Sequence, residues 1–226
     1  MQRITGTVQQ PVYPFPPDPE HTPPMMTTSQ TVLLLVVVLV ASTDFHQSVI
    51  ESDSTLEYTA DAQLKLPDHY REWVYLTAGF DMSYSPNAME MGHHMFDNVF
   101  VNPEAYRVFI TTGTWPDKTT FVLEGRRAEG KGSINQKGNY QGAVMGIEVH
   151  VKDEKHFAGK WAFFGFGDAK TAKMIPATAG CYSCHSSHAA VDTTFVQFYP
   201  TLLPIAKSKG TLAAAYQKEI GTPTQN

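Results

Sequence analysis

Cysteine is scarce in this sequence: 226 residues contain two. That excludes a framework of several disulfides and leaves no second C-x-x-C pair to complete a four-cysteine zinc site. Basic excess is missing as well. Lys and Arg total 17 against 22 Asp and Glu, a net charge of −5, so no basic patch recommends nucleic acid as a partner. No apolar run reaches bilayer length. The Val32–Ala41 run has ten residues, whereas a spanning helix needs about 20. Internal repeats are absent. What remains is a chain of ordinary size, 42% hydrophobic and 12% aromatic, enough for one domain with a real core and tails.

Both cysteines fall in Cys181-Tyr182-Ser183-Cys184-His185, a C-x-x-C-H pattern and the attachment signature of a c-type haem. The chemistry needs that spacing. Two thiols on one turn of a helix can add to the two vinyl groups along one porphyrin edge. The next residue then turns its imidazole toward the iron, and a single proximal histidine is a standard haem tether. Other readings stand beside this one. A zinc site would have to recruit two more ligands from the remaining histidines, which show no ligand spacing. A thioredoxin-like redox pair expects a strand before the motif in an α/β setting. Two inert buried cysteines would make the five letters a coincidence. The haem reading gives one haem c, covalently held by Cys181 and Cys184, with His185 on the metal.

The chain before the motif divides by composition. Pro11, Pro14, Pro16, Pro17, Pro19, Pro23 and Pro24 crowd residues 1–24, which read as disordered or as an over-extended start. Residues 25–42 read as a secretory signal. Met25 or Met26 opens it, the Val32–Ala41 run has h-region length, and Val40-Ala41-Ser42 offers small residues for cleavage, although no Lys or Arg lies between Ile4 and the run. A buried Val-rich strand competes for the same run. Covalent haem attachment takes place outside the cytoplasm, so motif and signal together predict a periplasmic protein, off the membrane once the signal is removed. Residues 43–63 read as a polar linker and 64–216 as the haem domain.

Within that domain, Pro67–Val74 reads as a short helix, with Trp73 and Tyr75 as core residues, and Phe80–Met95 as a Met- and His-rich loop. Asn98–Val101 reads as a strand. Asn102, Pro103, Glu104 and Gly113 then bracket a helix over 103–112 as N-cap, first helical position, first turn and stop. Thr119–Glu124 follows the Trp115-Pro116-Asp117 turn as a strand, with Phe121 and Leu123 on one face and Val122 and Glu124 on the other. Ala143–Val151 is a second alternating strand; Glu148, His150, Gly146 and Val144 share the face opposite Ile147, Val149 and Val151. His156–Gly167 reads as a third, apolar on both faces, hence buried or lining a cofactor. Asp168–Gly180 is a loop. Asp192 is a helix cap, Pro200–Lys209 a last helical segment ended by Gly210, and the tail past Tyr216 is frayed. The fold class is α+β: mainly antiparallel β-sheet with a few short helices and a C-terminal haem-binding C-x-x-C-H helix.

Leu66-Pro67 with Tyr70–Val74, Val99–Tyr106, Gly142–Glu148 with Val151-Lys152-Asp153, Trp161-Ala162-Phe163, and Cys181–His185 followed by Phe195–Pro200 occur in an order and spacing that resemble the cytochrome P-460 family of periplasmic c-type haem proteins. The resemblance covers roughly Leu64–Lys209. It implies a mainly antiparallel sheet with helices, usually assembled as a homodimer. A sister group, the cytochromes c′-beta, shares the fold and binds gases such as nitric oxide. Carried over by position, Cys181 and Cys184 hold the haem, His185 is the proximal ligand, and Glu148 matches a distal carboxylate that assists proton removal from hydroxylamine. Two positions depart from the pattern. The lysine that the hydroxylamine-oxidising members link to the porphyrin is Leu123 here, which cannot form that bond, and Lys118 in the turn is a poor substitute. A pocket arginine of those enzymes corresponds to Asp97.

The resemblance, with the motif and the signal, implies a periplasmic mono-haem cytochrome that binds or oxidises small nitrogen species, hydroxylamine or nitric oxide, at an open distal site. Glu148 is the expected general base, its pKa raised by burial. Leu123 and Phe121 form an apolar lid that favours small neutral ligands. The alternative is an electron-transfer cytochrome without turnover, with Met145, Met174 or Met95 as sixth ligand. Expected partners are the nitrogenous ligand, a periplasmic electron-transfer protein and a second copy of the chain. His188 is expected at the haem rim.

Overall fold

The structure, a computed structural model, describes residues 56–84 and 93–221. The start, the signal and residues 43–55 of the linker lie outside these, as do Pro86 and Gly92 of the Met- and His-rich segment. In chain order the elements are β1 (Leu64–Lys65), a 3-10 turn at Tyr70–Glu72, β2 (Val74–Phe80), β3 (Met95–Val101), α1 (Pro103–Thr112), β4 (Thr120–Glu129), β5 (Tyr140–Lys152), β6 (Trp161–Gly165), β7 (Thr171–Ala172), α2 (Gly180–His188), a 3-10 turn at Val196–Phe198, α3 (Leu203–Lys209) and α4 (Ala214–Gly221). The class is α+β. Strands β2-β3-β4-β5-β6 form one antiparallel meander in sequence order, and β1 pairs with β7.

Alternation along the strands sorts side chains onto two faces. Leu76, Val101, Phe121 and Trp161 pack against Ala105 and Phe109 of α1, Trp115, and the C-terminal residues Val196, Leu202 and Ala206. Val122, Val149, Val151, Ala162 and Phe164 face the other way, onto Leu64, Tyr70 and Ala172 beside the small sheet. The first core covers only part of its face. Farther along the same face lie Asp97, Leu123 and Glu148, and α2 stands over them.

Helix α1 runs over the expected residues, but its start is secured differently. Asn102 makes no side-chain cap; its Oδ1 accepts the Thr120 amide at 2.9 Å, tying the helix to the first residue of β4. Gly113 ends the helix at φ 76, and a Cβ there would stand 2.8 Å from Lys209 Cβ, so two helix ends meet where only glycine fits.

Several expectations are corrected. The Pro67–Val74 segment forms only the 3-10 turn, because Tyr70 turns inward to donate its hydroxyl to Glu124, which Arg71 and Arg126 also reach. Tyr75 is exposed, edge-on to Phe100, rather than core. Glu124 is 2% exposed within that network. Strand β6 begins only at Trp161. Asp153 gathers the amides of Lys155 and His156 at 3.2 Å each and curls the chain, and Lys160 adopts φ 66. The 168–180 stretch contributes β7. Asp192 caps no helix; it has φ 56 and accepts from Lys152 Nζ at 3.1 Å. The tail past Tyr216 continues as α4 to Gly221, where Glu219 meets His188 at 3.0 Å. His188 is exposed.

Candidate functional site

Helix α2 is short and poor in intrinsic helix strength; it buries no residue and is held from outside. Tyr182, the second residue of the motif, donates its hydroxyl to Ile175 O at 2.9 Å and accepts the Phe163 amide at 3.3 Å, docking the helix on the edge of β6. On α2, Cys181 and His185 are one turn apart and share a face. Both line a cavity of about 250 Å³ against the sheet. Opposite them, the same cavity is lined by Phe121 and Leu123 of β4 and Glu148 of β5, with Asp97, Val99, Met82, Tyr84 and Phe195 completing much of the wall. Leu123 and Glu148 are direct register partners across β4 and β5. Cys184 is a free, half-buried thiol one helical turn from Cys181 and is not itself in the cavity wall.

His185 is fixed by its surroundings. Its Nδ1 lies 2.8 Å from Thr193 O. A carbonyl only accepts, so Nδ1 carries the proton and Nε2 keeps the lone pair. Three rings box the imidazole: Phe195 at 4.2 Å, Phe163 at 4.6 Å and His150 at 5.3 Å between centroids. Burial lowers the His185 pKa and so favours the neutral ring; the hydrogen bond to the Thr193 carbonyl works against this and is the smaller effect. This orientation by a backbone carbonyl is what a metal-ligating histidine requires.

Alternation placed His150 on the Glu148 face, yet its role was not legible. It is stacked on Phe163 at 4.0 Å, tilted against Trp161 at 4.4 Å, and held neutral by burial first and the nearby His185 second. Thr193 acts through its carbonyl, so its side chain gives no sequence signal. Glu148 lines the cavity wall and is open to the cavity. Burial raises the Asp97 carboxyl above its usual range, with the charges of Glu148 and then Asp81 adding to it. Of the methionines, Met82 lines the cavity, whereas Met95 and Met145 do not and Met174 lines a second cavity of about 760 Å³ on the far side of His185.

The residues fit a haem: an apolar, aromatic-walled cavity, two free thiols three positions apart on one helix, and an imidazole presenting Nε2. Among the described residues, no group of three or more His, Cys, Asp or Glu is placed to hold a metal ion, so the zinc reading finds no further ligands. A model of the cytochrome P460 family matches residues 67–196. The chain belongs to the cytochrome P460 family. It is therefore a haem cytochrome. The family match takes in the whole five-stranded sheet, the C-x-x-C-H helix and Phe195. No curated protein matches the chain. Among the described residues, no helix is long and apolar enough to cross a membrane.

Proposed function

We propose that this cytochrome P460 family member is a periplasmic mono-haem c-type protein that binds or oxidises small nitrogen species, nitric oxide and hydroxylamine, at an open distal site. The observation that carries the reading is a single cavity with Cys181 and His185 on one wall and Phe121, Leu123 and Glu148 on the other. When bound, the haem supplies an iron that takes a small ligand and exchanges an electron. The chain's own residues do the rest. Cys181 and Cys184 hold the porphyrin edge as thioethers. His185 serves as the proximal ligand, its tautomer set by Thr193 O and its rotation blocked by Phe163, Phe195 and His150. Glu148, open to the cavity, can take a proton from a protic ligand such as hydroxylamine. Phe121 and Leu123 keep the approach apolar and favour neutral ligands.

Leu123 inclines the protein toward ligand binding rather than chemistry that depends on a lysine-linked ring. No lysine is among the described residues lining the cavity, and Lys118 is ion-paired with Asp153 away from it. The partners are the nitrogenous ligand, a periplasmic electron-transfer protein and a second copy of the chain. A second reading, electron transfer with a thioether as sixth ligand, draws support from Met82 in the cavity wall.

The test is the ferrous absorption spectrum of protein matured in a haem-attaching host. A high-spin c-haem spectrum that shifts on adding nitric oxide is expected. A sharp low-spin spectrum insensitive to nitric oxide would sink the open-site reading and favour the electron carrier. A strongly red-shifted Soret band would mean a cross-linked ring despite Leu123.

A further inference from the structure

We propose that Asp97 and Glu148 together make the cavity exclude anions, so that Asp97 is a specificity-determining residue and the ligands admitted are neutral nitrogen compounds rather than small anions of the azide or nitrite type. The proposal deepens the open-site reading above and rests on it.

The sheet places the two carboxylates on one face, on strands either side of β4. In register, Asp97 of β3 pairs with Gly125 of β4, which pairs with Gly146 of β5; the adjoining row on the same face is Val99, Leu123 and Glu148. Gly125 and Leu123 of β4 therefore stand between Asp97 and Glu148, and neither side chain carries charge. At the Gly125 position a Cβ would stand 3.3 Å from Met95 Sδ and 3.7 Å from Asp97 Oδ1. What lies between the acids is thus apolar, and both line the cavity.

No cation among the described residues of the cavity wall cancels their charge. The described residues of the cavity wall include no lysine or arginine, and the histidine deepest in it, His150, is kept neutral by burial. Neither carboxylate has a hydrogen-bond or ion-pair partner among the described residues. The Glu148 charge is among the causes that raise the Asp97 carboxyl, after burial, so the two groups feel each other. Even a pair sharing one proton keeps one negative charge facing a low-dielectric space, where Coulomb repulsion is weakly screened. A neutral diatomic or neutral hydroxylamine meets no such barrier.

The experiment uses haem-loaded, full-length ferric protein, titrated optically with sodium azide and separately with nitric oxide. The variants are Asp97→Asn, Glu148→Gln, and Asp168→Asn as an exposed carboxylate outside the cavity wall. The expected result is a ratio of azide to nitric oxide affinity raised about tenfold by Asp97→Asn and by Glu148→Gln and changed by less than about twofold by Asp168→Asn. A ratio unchanged in both cavity variants, with nitric oxide still bound, overturns the proposal. A wild-type protein that binds neither probe has a different signature and overturns the open-site reading on which the proposal stands.

Discussion

Glu124→Gln is a sharp test of how the sheet is held behind the site. Glu124 is 2% exposed and accepts from the Tyr70 hydroxyl and from the Arg71 and Arg126 guanidinium groups. Removing one member of a buried ion pair costs about 3–5 kcal/mol. Three features lower that figure here. The Arg71 side chain is 53% exposed and can turn to water. Arg126 keeps its 2.9 Å bond to Gly142 O. Glutamine still offers Tyr70 an acceptor. The expected cost is about 2 kcal/mol at neutral pH, near 4–8 °C in Tm for a domain of this size. The pH dependence has a definite sign. Burial alone would raise the Glu124 pKa, but the bonds from Tyr70, Arg71 and Arg126 outweigh it and leave it below the usual value. A depressed folded pKa gives stability that is present above the unfolded value, about 4.3, and is lost as pH falls through the folded one. Thermal melts from pH 7 down to pH 3 should therefore show a steeper loss for wild type, with the gap between the proteins closing in acid. Equal melting temperatures at pH 7, or a gap that widens in acid, would refute the argument.

Other outcomes follow from single contacts. Cys184→Ala should leave haem attached through one thioether, and the Cys181→Ala, Cys184→Ala double variant should release it; intact-protein mass decides both. Phe109→Ala removes a side chain that is 0% exposed and sits 4.0 Å from Trp115, and should cost about 3–5 kcal/mol in urea unfolding. Tyr182→Phe loses the bonds to Ile175 and Phe163 and should cost about 1–3 kcal/mol. Amide exchange should accelerate first in α2, and unchanged exchange there would show that the helix is docked by something else.

The legible parts of the sequence were those whose signals are local. Asn102, Pro103 and Gly113 bracketed α1 because first-position proline and left-handed glycine act within one turn. The faces of β4 and β5 followed from strict alternation, which set Phe121 with Leu123 and Glu148 with His150. Distant partners defeated the rest. A strand over His156–Gly167 looked continuous because Phe157 is apolar, but Asp153 folds the residues before Trp161 into a turn. Tyr70 left a helical pattern because Glu124 draws it inward from 54 positions away. In the cavity, the C-x-x-C-H motif could be read directly, whereas Glu148 and Leu123 stood out only through the family resemblance. Asp97 as the more enclosed carboxylate, and Thr193 as the residue orienting His185, depend on sheet order and a backbone carbonyl, which no residue type announces.

The pairing of Leu123 with Glu148 also makes the site a matter of parity. Strand β5 carries Glu148 and His150 on cavity-facing positions and Ile147, Val149 and Val151 on the core-facing ones. Sliding β5 by one residue against β4 would swap the two sets, bringing an apolar wall to the ligand and turning a carboxylate and an imidazole into the core. The register shifts in β4 lie between Gly125 and Ala128, beyond Leu123 and toward the exposed 130–139 hairpin. Length changes in that hairpin can be absorbed there without reaching the site. A single inserted residue between Gly146 and Glu148 has no such outlet, and would erase the ligand chemistry while leaving the composition of the chain almost untouched.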